Sequence, residues 1–360
     1  MNILDRYVLR QFVLTFVFAI VALCSIFIVI DLFERLDKFI DNKTPIETVL
    51  VFYVAFLPYS LELVNPVALM LAGLFSVGRL SNNNEITAMR SGGQGPIRFL
   101  LPILVFAFFM SIAQVYFNGW VAPRAATERL TIERMALASN NSPTSLQDLY
   151  FRESPTMNVS LRRYDAEHRV GTSVSFEEFG SARSPRQQWR IDADSMAWDS
   201  TSASWTLPKA TRRTFYPDSV AIETITQYRA PFAIRPDQIA KLQLNPEEMT
   251  FPEMDDYIGT LEKGGKDTRR QEIDLSGQWA FPFVNLIVVL ISVPFASVRR
   301  RGGMAVNIAA AMVIAITYIA FTKISQAAGV AMDLPVEVVG WGANGIFLMI
   351  GLVLLARTRA

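Results

Sequence analysis

Phe99–Trp120 reads FLLPILVFAFFMSIAQVYFNGW, and Val121–Met135 continues as VAPRAATERLTIERM. The first run carries no charged side chain over 22 residues, whereas the second carries five in 15. An α-helix of roughly 20 apolar residues crosses about 30 Å of hydrocarbon. The first run therefore has the length of a membrane span, and the second returns the chain to water.

Outward from this point, five more stretches are as long and apolar, with no charged side chain beyond Glu62, Lys323 and Glu337: Phe12–Ile30, Val49–Val77, Trp279–Val298, Met304–Ile324 and Val336–Ala356. The fold expected is a membrane α-helical protein of six transmembrane helices, three plus three, with an inserted all-β domain that is a sandwich, a jellyroll-like fold or an open barrel. Residues 1–124 hold the first three spans, 125–270 the inserted domain and 271–360 the last three. The composition agrees. With 51% hydrophobic residues and a mean hydropathy of +0.27 the chain is too apolar for an ordinary soluble domain, and with 19% charged residues too polar to be all membrane. The first stretch exceeds the usual signal-peptide core and lacks an A-x-A site, so it reads as a retained helix. Val21-Ala-Leu-Cys24 is only a loose match to a lipoprotein cleavage site, because bulky Leu23 stands where a small residue belongs.

The net charge of +1 says little, but the positions of the charges say more. Arg6 and Arg10 precede the first span, Arg79, Arg90 and Arg98 separate the second from the third, Arg299, Arg300 and Arg301 join the fourth to the fifth, and Arg357 and Arg359 follow the sixth. The opposite connections are acidic or mixed, with Asp31, Glu34, Asp37, Asp41 and Glu47 on one and Asp333 and Glu337 on the other. Since short cytoplasmic loops collect lysine and arginine, both termini are expected in the cytoplasm and the large domain outside it. No basic run of the nucleic-acid-binding kind occurs.

The middle alternates with period two in Met157–Leu161, Trp189–Asp194 and Ala221–Thr226, and Pro155, Pro185, Pro208 and Pro217 are expected to punctuate the strands. Met196–Trp198 and Ser204–Leu207 flank the polar segment Asp199–Ala203 and read as a hairpin with a tryptophan on each arm. Cys24 is the only cysteine and His168 the only histidine, which removes disulfides, structural zinc and a Cys-His pair from consideration. Cys24 reads as a packing residue and His168 as a solvated loop residue.

The segment Arg79–Pro96 reads as a brief helix ended by glycines and a proline. Ile86 and Met89 share a face beside Glu85 and Arg90, a pattern that suits docking in a groove of a cytoplasmic partner. A second reading is compatible with it: Asn82 caps the helix and Glu85 completes a capping box. Neither Gly92–Gly95 nor Lys263–Lys266 fits a P-loop, so no nucleotide site is visible and any nucleotide hydrolysis belongs to another subunit. Glu62 and Asn65, in a span that also holds Pro58 and Pro66, are polar candidates at membrane depth, as is Lys323 near the outer end of the fifth span. Lys323 also has the reach to snorkel to the interface. Arg129 and Arg134 sit past the third span, where they fit either a grip on phosphates or a solvated helix neutralised by Glu128 and Glu133. Lys263, Lys266, Arg269 and Arg270 form a second basic set before the fourth span.

Leu4-Asp-Arg-Tyr7, Gly78-Arg-Leu80 with Asn84-Glu-Ile-Thr-Ala-Met89, Asn118-Gly-Trp-Val-Ala-Pro123, Pro282-Phe283, Val293-Pro294 and Trp341-Gly-Ala-Asn344, in this order around an inserted β domain, resemble the LptF/LptG (YjgP/YjgQ) family of lipopolysaccharide-exporter permeases over nearly the whole chain. The resemblance implies a non-enzymatic subunit paired with a second permease of the same fold, mounted on a cytoplasmic ABC ATPase dimer that uses ATP, with no cofactor bound by this chain. It also implies transfer of lipopolysaccharide toward a periplasmic jellyroll protein of the LptC/LptA type. By position, Glu85, Ile86, Met89 and Arg90 would lie on the helix that couples to the ATPase, and Arg129 and Arg134, with Lys323, near lipid A phosphates. LptG-type members can carry a lysine where this chain has Asp31, which leaves LptF-like and LptG-like both open. A membrane scaffold that joins cytoplasmic and periplasmic complexes without transport is the alternative class. A membrane-anchored hydrolase lacks both a nucleophile elbow and a histidine base.

Overall fold

A computed structural model describes residues 2–93, 95–137, 145–166, 168–180, 186–230, 234–241, 244–263, 265–297 and 303–357. Arg299, Arg300, Arg301, Arg359 and Pro185 lie outside the described residues. The chain divides into a helical unit, Met1–Leu137 with Arg269–Ala360, and a second unit, Ala138–Thr268.

The helical unit is built from α1 (Ile3–Asp41), α2 (Ile46–Asn82), the short α3 (Glu85–Ser91), α4 (Pro96–Tyr116), a π-helical turn (Phe117–Val121) that runs into α5 (Ala122–Leu137), α8 (Arg269–Ala280), a 3₁₀ turn (Phe281–Phe283), α9 (Val284–Ser297), α10 (Gly303–Ala331) and α11 (Val336–Arg357). Among the described residues, six of its helical stretches have the length and apolarity to cross a membrane, in the order expected from the apolar runs. Three of them, of 37 to 39 residues, are much longer than the hydrocarbon requires. The 39 residues of α1 extend about 58 Å at 1.5 Å per residue, so its acidic end, Glu34–Asp41, projects beyond the apolar segment. Helix α5 continues α4 through the π turn, so the first part of the helical unit runs to Leu137.

The core of this unit runs from Val8, Phe12 and Phe16 of α1 through Leu69, Leu74 and Val77 of α2 to Ile287, Val289 and Val293 of α9. Helices α2 and α9 are its most buried spans. They approach closely at Gly73, where an added Cβ would collide with the Ser292 hydroxyl. Lipid tails are as apolar as side chains, so such small-residue contacts carry helix association in a bilayer. Cys24 is buried and unbridged, as its apolar surroundings suggest.

The second unit holds β1 (Ser145–Arg152), β2 (Met157–Asp165), β3 (Val170–Phe179), β4 (Gln187–Asp199), β5 (Ser204–Phe215) and β6 (Val220–Arg229), followed by α6 (Pro236–Lys241) and α7 (Phe251–Lys263). The strands form one antiparallel sheet in chain order, so each pairs with its neighbour in sequence. Alternate residues, among them Val159, Leu161, Val174, Phe176, Ile191, Ala193 and Leu207, point to one buried face, as the period of two requires. The Met196–Leu207 hairpin forms as read: Trp198 is opposite Trp205, with ring centroids 5.2 Å apart. Its loop is tied by Asp199, which accepts from the Thr201 N–H at 2.9 Å and the Ser202 hydroxyl at 2.6 Å. These bonds, the Ser202 hydroxyl first, hold the Asp199 carboxyl below its ordinary range.

Trp205 is fully buried and donates Nε1–H to the Ile234 carbonyl at 2.7 Å, which fastens the segment after β6 across the core. Tyr164, also fully buried, reaches the Pro236 carbonyl at 3.3 Å, and burial pushes its phenol up to about 12. Pro208, expected to end a strand, instead lies inside β5. It stands opposite Gln227, whose φ is +57°, at a point where the ladder to β6 skips a pair. An irregularity of this kind is where a strand tolerates the missing N–H. His168 is exposed in the β2–β3 turn and pairs with Asp165 at 2.8 Å.

Candidate functional site

The turn between α2 and α4 is made by three consecutive asparagines. Helix α2 runs on through Asn82, and Asn84 adopts the left-handed conformation at φ +60°, which asparagine tolerates better than most side chains. Helix α3 then starts at Glu85 with no side-chain cap bond. Asn82 is therefore the last turn of α2 rather than the cap of α3, and the capping-box reading fails. Glu85 is held otherwise: Oε1 accepts from Asn83 Nδ2 and Oε2 from the Tyr7 hydroxyl, each at 3.0 Å. Ile86 and Met89 share a face as expected, but that face packs into the chain's own core. The apolar stripe anchors α3, and the side it presents outward is Thr87, Ala88, Arg90 and Ser91.

The Tyr7–Glu85 bond brings the start of α1 to α3, and the Ser81 hydroxyl reaches the Ser297 carbonyl at 3.3 Å, which brings the end of α9 to the end of α2. Arg6, Arg79 and Arg90 consequently gather at one end of the bundle.

Deeper in the unit a seam of amides connects three breaks in the helices. Pro66 has no N–H to offer the carbonyl of Glu62, four residues back, and Gln114 Nε2 donates to that carbonyl instead at 3.1 Å. Gln114 Oε1 then accepts from Asn65 Nδ2 at 2.6 Å and from Asn285 Nδ2, while Asn118 Nδ2 reaches Glu62 Oε1 at 2.9 Å. Asn118 belongs to the π turn, and Asn285 follows the 3₁₀ turn at Phe281–Phe283. At that second break the Val284 N–H turns to Phe281, three residues back, and the Ala280 carbonyl is taken by Asn344 Nδ2 at 2.6 Å. The Tyr318 hydroxyl completes the link by donating to Asn344 Oδ1 at 2.7 Å. Asn65, Asn285 and Asn344 are all buried. Glu62 and Asn65 were visible in the sequence as polar groups at depth. Gln114, Asn118, Asn285 and Asn344 were not singled out for this role, although each lies close to a Pro or Gly break.

At the opposite, acidic end, Arg35 binds Asp31 at 3.0 Å and Glu133 at 2.6 Å, which joins α1 to α5. The Tyr53 hydroxyl donates to Asp31 at 3.3 Å. Glu133 thus has Arg35 as a partner, where the sequence suggested the arginines of its own helix. Arg129 is not a solvated surface group. It is 6% exposed, with its guanidinium carbon 4.6 Å from the Tyr59 ring centre and 5.9 Å from that of Phe56. Arg134 is exposed on α5, and Lys323 is exposed on α10, 3.5 Å from Gln326. Arg269 is committed to structure: Nε and Nη2 bond the Gly329 carbonyl at 2.9 and 2.8 Å, Nη2 also bonds that of Leu334, and Nη1 pairs with Asp333 at 2.9 Å. Its bonds to Gly329 cap the C-terminal turn of α10, and its bond to Leu334 ties that end to the connection before α11.

Comparison with known proteins identifies this architecture. Residues 6–357 match the family of lipopolysaccharide export system permeases LptF/LptG. The chain belongs to the LptF/LptG family. It is 18% identical over 295 residues to the lipopolysaccharide export system permease protein LptG of Escherichia coli K12, covering 82% of this chain and 81% of that protein. It is 20% identical over 299 residues to LptG of Haemophilus influenzae, with the same coverage. As an LptF/LptG protein it is a multi-pass inner-membrane permease of lipopolysaccharide export, not an enzyme. The motifs that carry the family resemblance meet in space: Asn118 lies in the seam, Phe283 packs on Trp341 with centroids 5.3 Å apart, and Tyr7 meets Glu85.

Proposed function

We propose that this LptF/LptG chain is one of two permeases in an ATP-driven exporter, with both termini cytoplasmic and the β unit periplasmic. A dimeric ABC ATPase docks on α3, and lipopolysaccharide taken from the inner membrane passes toward a periplasmic jellyroll protein of the LptC/LptA type. The observation that carries this reading is α3 itself. It is a short helix, anchored by Ile86 and Met89, that fixes an acidic side chain at the arginine-rich end of the bundle. The positive-inside tendency assigns that end to the cytoplasm, where a basic groove on an ATPase is the complementary partner. ATP is used by that partner, and this chain binds no cofactor in the scheme.

Arg134 and Lys323 are the exposed cations proposed to meet lipid phosphates from the outer side. Arg129 supports the same region from within, since its charge rests on Tyr59 and Phe56.

The test is purification with native partners into lipid nanodiscs and measurement of ATP-dependent lipopolysaccharide release. Glu85→Lys should reduce ATPase copurification or the lipid released per ATP. A complex that hydrolyses ATP without releasing lipid in any variant, parent included, would make the protein a scaffold. An introduced cysteine at Ser200, in a Cys24→Ala background, should react with impermeant reagent only from the periplasmic side.

A further inference from the structure

The Tyr7 hydroxyl is 3.0 Å from Glu85 Oε2 across 78 residues of sequence. We infer that Tyr7 is a positioning residue of the coupling element: it holds Glu85 in its docking orientation and transmits displacement of α3 to α1. This rests on the coupling role proposed above.

The local structure leaves Glu85 in need of such a restraint. It follows a left-handed residue and opens a helix of 7 residues that has no side-chain cap bond, so the helix itself does not select its rotamer. Each carboxylate oxygen is instead fixed by one donor. Asn83, on Oε1, belongs to the same joint and moves with it. Tyr7, on Oε2, belongs to another helix, and its phenol places the hydroxyl at the tip of a rigid ring with only two side-chain torsions.

The helix at the other end of this bond is suited to receive a displacement. Val8 and Phe12 seat the start of α1 in the core, yet only 17% of its most apolar window is buried within the chain, against 67% for α2. Helix α1 also reaches the acidic end, where Arg35 links it to Glu133 of α5. A shift of Glu85 on docking would thus reach both ends of a helix whose apolar middle the rest of the chain grips far less than it grips α2. Tyr7 is 47% exposed, so loss of its hydroxyl leaves no cavity in the core.

The experiment compares the parent complex, Tyr7→Phe, Glu85→Ala and the double variant in nanodiscs with native partners and lipopolysaccharide. Copurifying ATPase, ATP hydrolysis and lipid released per ATP are each measured. Tyr7→Phe should keep ATPase copurification and thermal stability but lower lipid released per ATP roughly two- to tenfold, the scale of one hydrogen bond. The double variant should be no worse than Glu85→Ala alone, since alanine leaves the Tyr7 hydroxyl no acceptor and both changes break the same bond. Parent-like release per ATP in Tyr7→Phe, or losses that multiply in the double variant, would overturn the inference while leaving the coupling role of Glu85 in place. A Glu85→Lys complex identical to the parent in all three measurements would remove the coupling role and the Tyr7 inference with it.

Discussion

Gln114 is the hub of the amide seam, and its replacement by leucine puts a number on what the seam contributes. The side chain makes three bonds at once: its oxygen accepts from Asn65 and Asn285, and its nitrogen donates to the Glu62 carbonyl. Leucine has a similar volume and supplies none of them. Interhelical hydrogen bonds in membrane proteins average about 0.6 kcal/mol and reach about 1.7. Three of them give a loss of about 2 kcal/mol at the average and about 5 at the ceiling. The burial of Asn65 and Asn285 argues for the upper half, because their amide N–H groups would be stranded away from water. Reversible unfolding in mixed micelles, followed by helical circular dichroism, would measure it. The triple variant Asn65→Ala, Gln114→Leu, Asn285→Ala should lose less than the sum of the three single changes, because no amide donor is then left stranded. A Gln114→Leu protein within about 0.5 kcal/mol of the parent, the range of an ordinary surface change, would refute the hub, and so would strict additivity across the series.

Two further outcomes follow from packing and titration. Gly73→Ala should lower the thermal stability of the helical unit because its methyl would meet the Ser292 hydroxyl, and Ser292→Ala should restore much of the loss in the double variant; equal melting temperatures for Gly73→Ala and the parent would show that the helices part freely. Burial raises the Tyr164 phenol from 10.0 to about 12 in the folded protein, so its contribution to stability is complete below pH 10 and is lost as pH rises through 12. Alkaline unfolding of Tyr164→Phe should lack that component, and an unchanged profile between the two proteins would count against it.

Much of this fold was legible because two solvents impose two periodicities. Six apolar runs, each with at most one charged side chain, and a period-two middle are direct readings of what lipid and a half-buried sheet demand, and the Trp198–Trp205 hairpin could be named from the polar segment between its arms. The seam was legible only in part. Glu62 and Asn65 stand out against their neighbours, but that Pro66 frees a carbonyl for Gln114 is a statement about two helices, and no local pattern pairs them. Arg129 shows the same limit from the other side. Its spacing from Glu128 and Glu133 fits a solvated helix, yet Tyr59 and Phe56, some 70 residues earlier, decide its environment. The docking stripe of α3 was seen correctly as a stripe, and only the third dimension shows that it faces inward.

The insertion of Ala138–Thr268 between α5 and α8 also sets the order in which the bundle can be made. At about 5–20 residues per second, the ribosome needs on the order of ten seconds to synthesise those residues before α8 emerges. During that interval α1, α2 and α4–α5 must wait in the bilayer without α9, which fills the groove at Gly73. Their polar side chains are provided for: Asn65 with Gln114, Gln114 with the Glu62 carbonyl and Asn118 with the Glu62 side chain are all pairings within the first half. Asn285 then joins a network already closed on itself. A nascent chain arrested before Val284 would hold its buried amides paired but keep an open groove along α2 at Gly73.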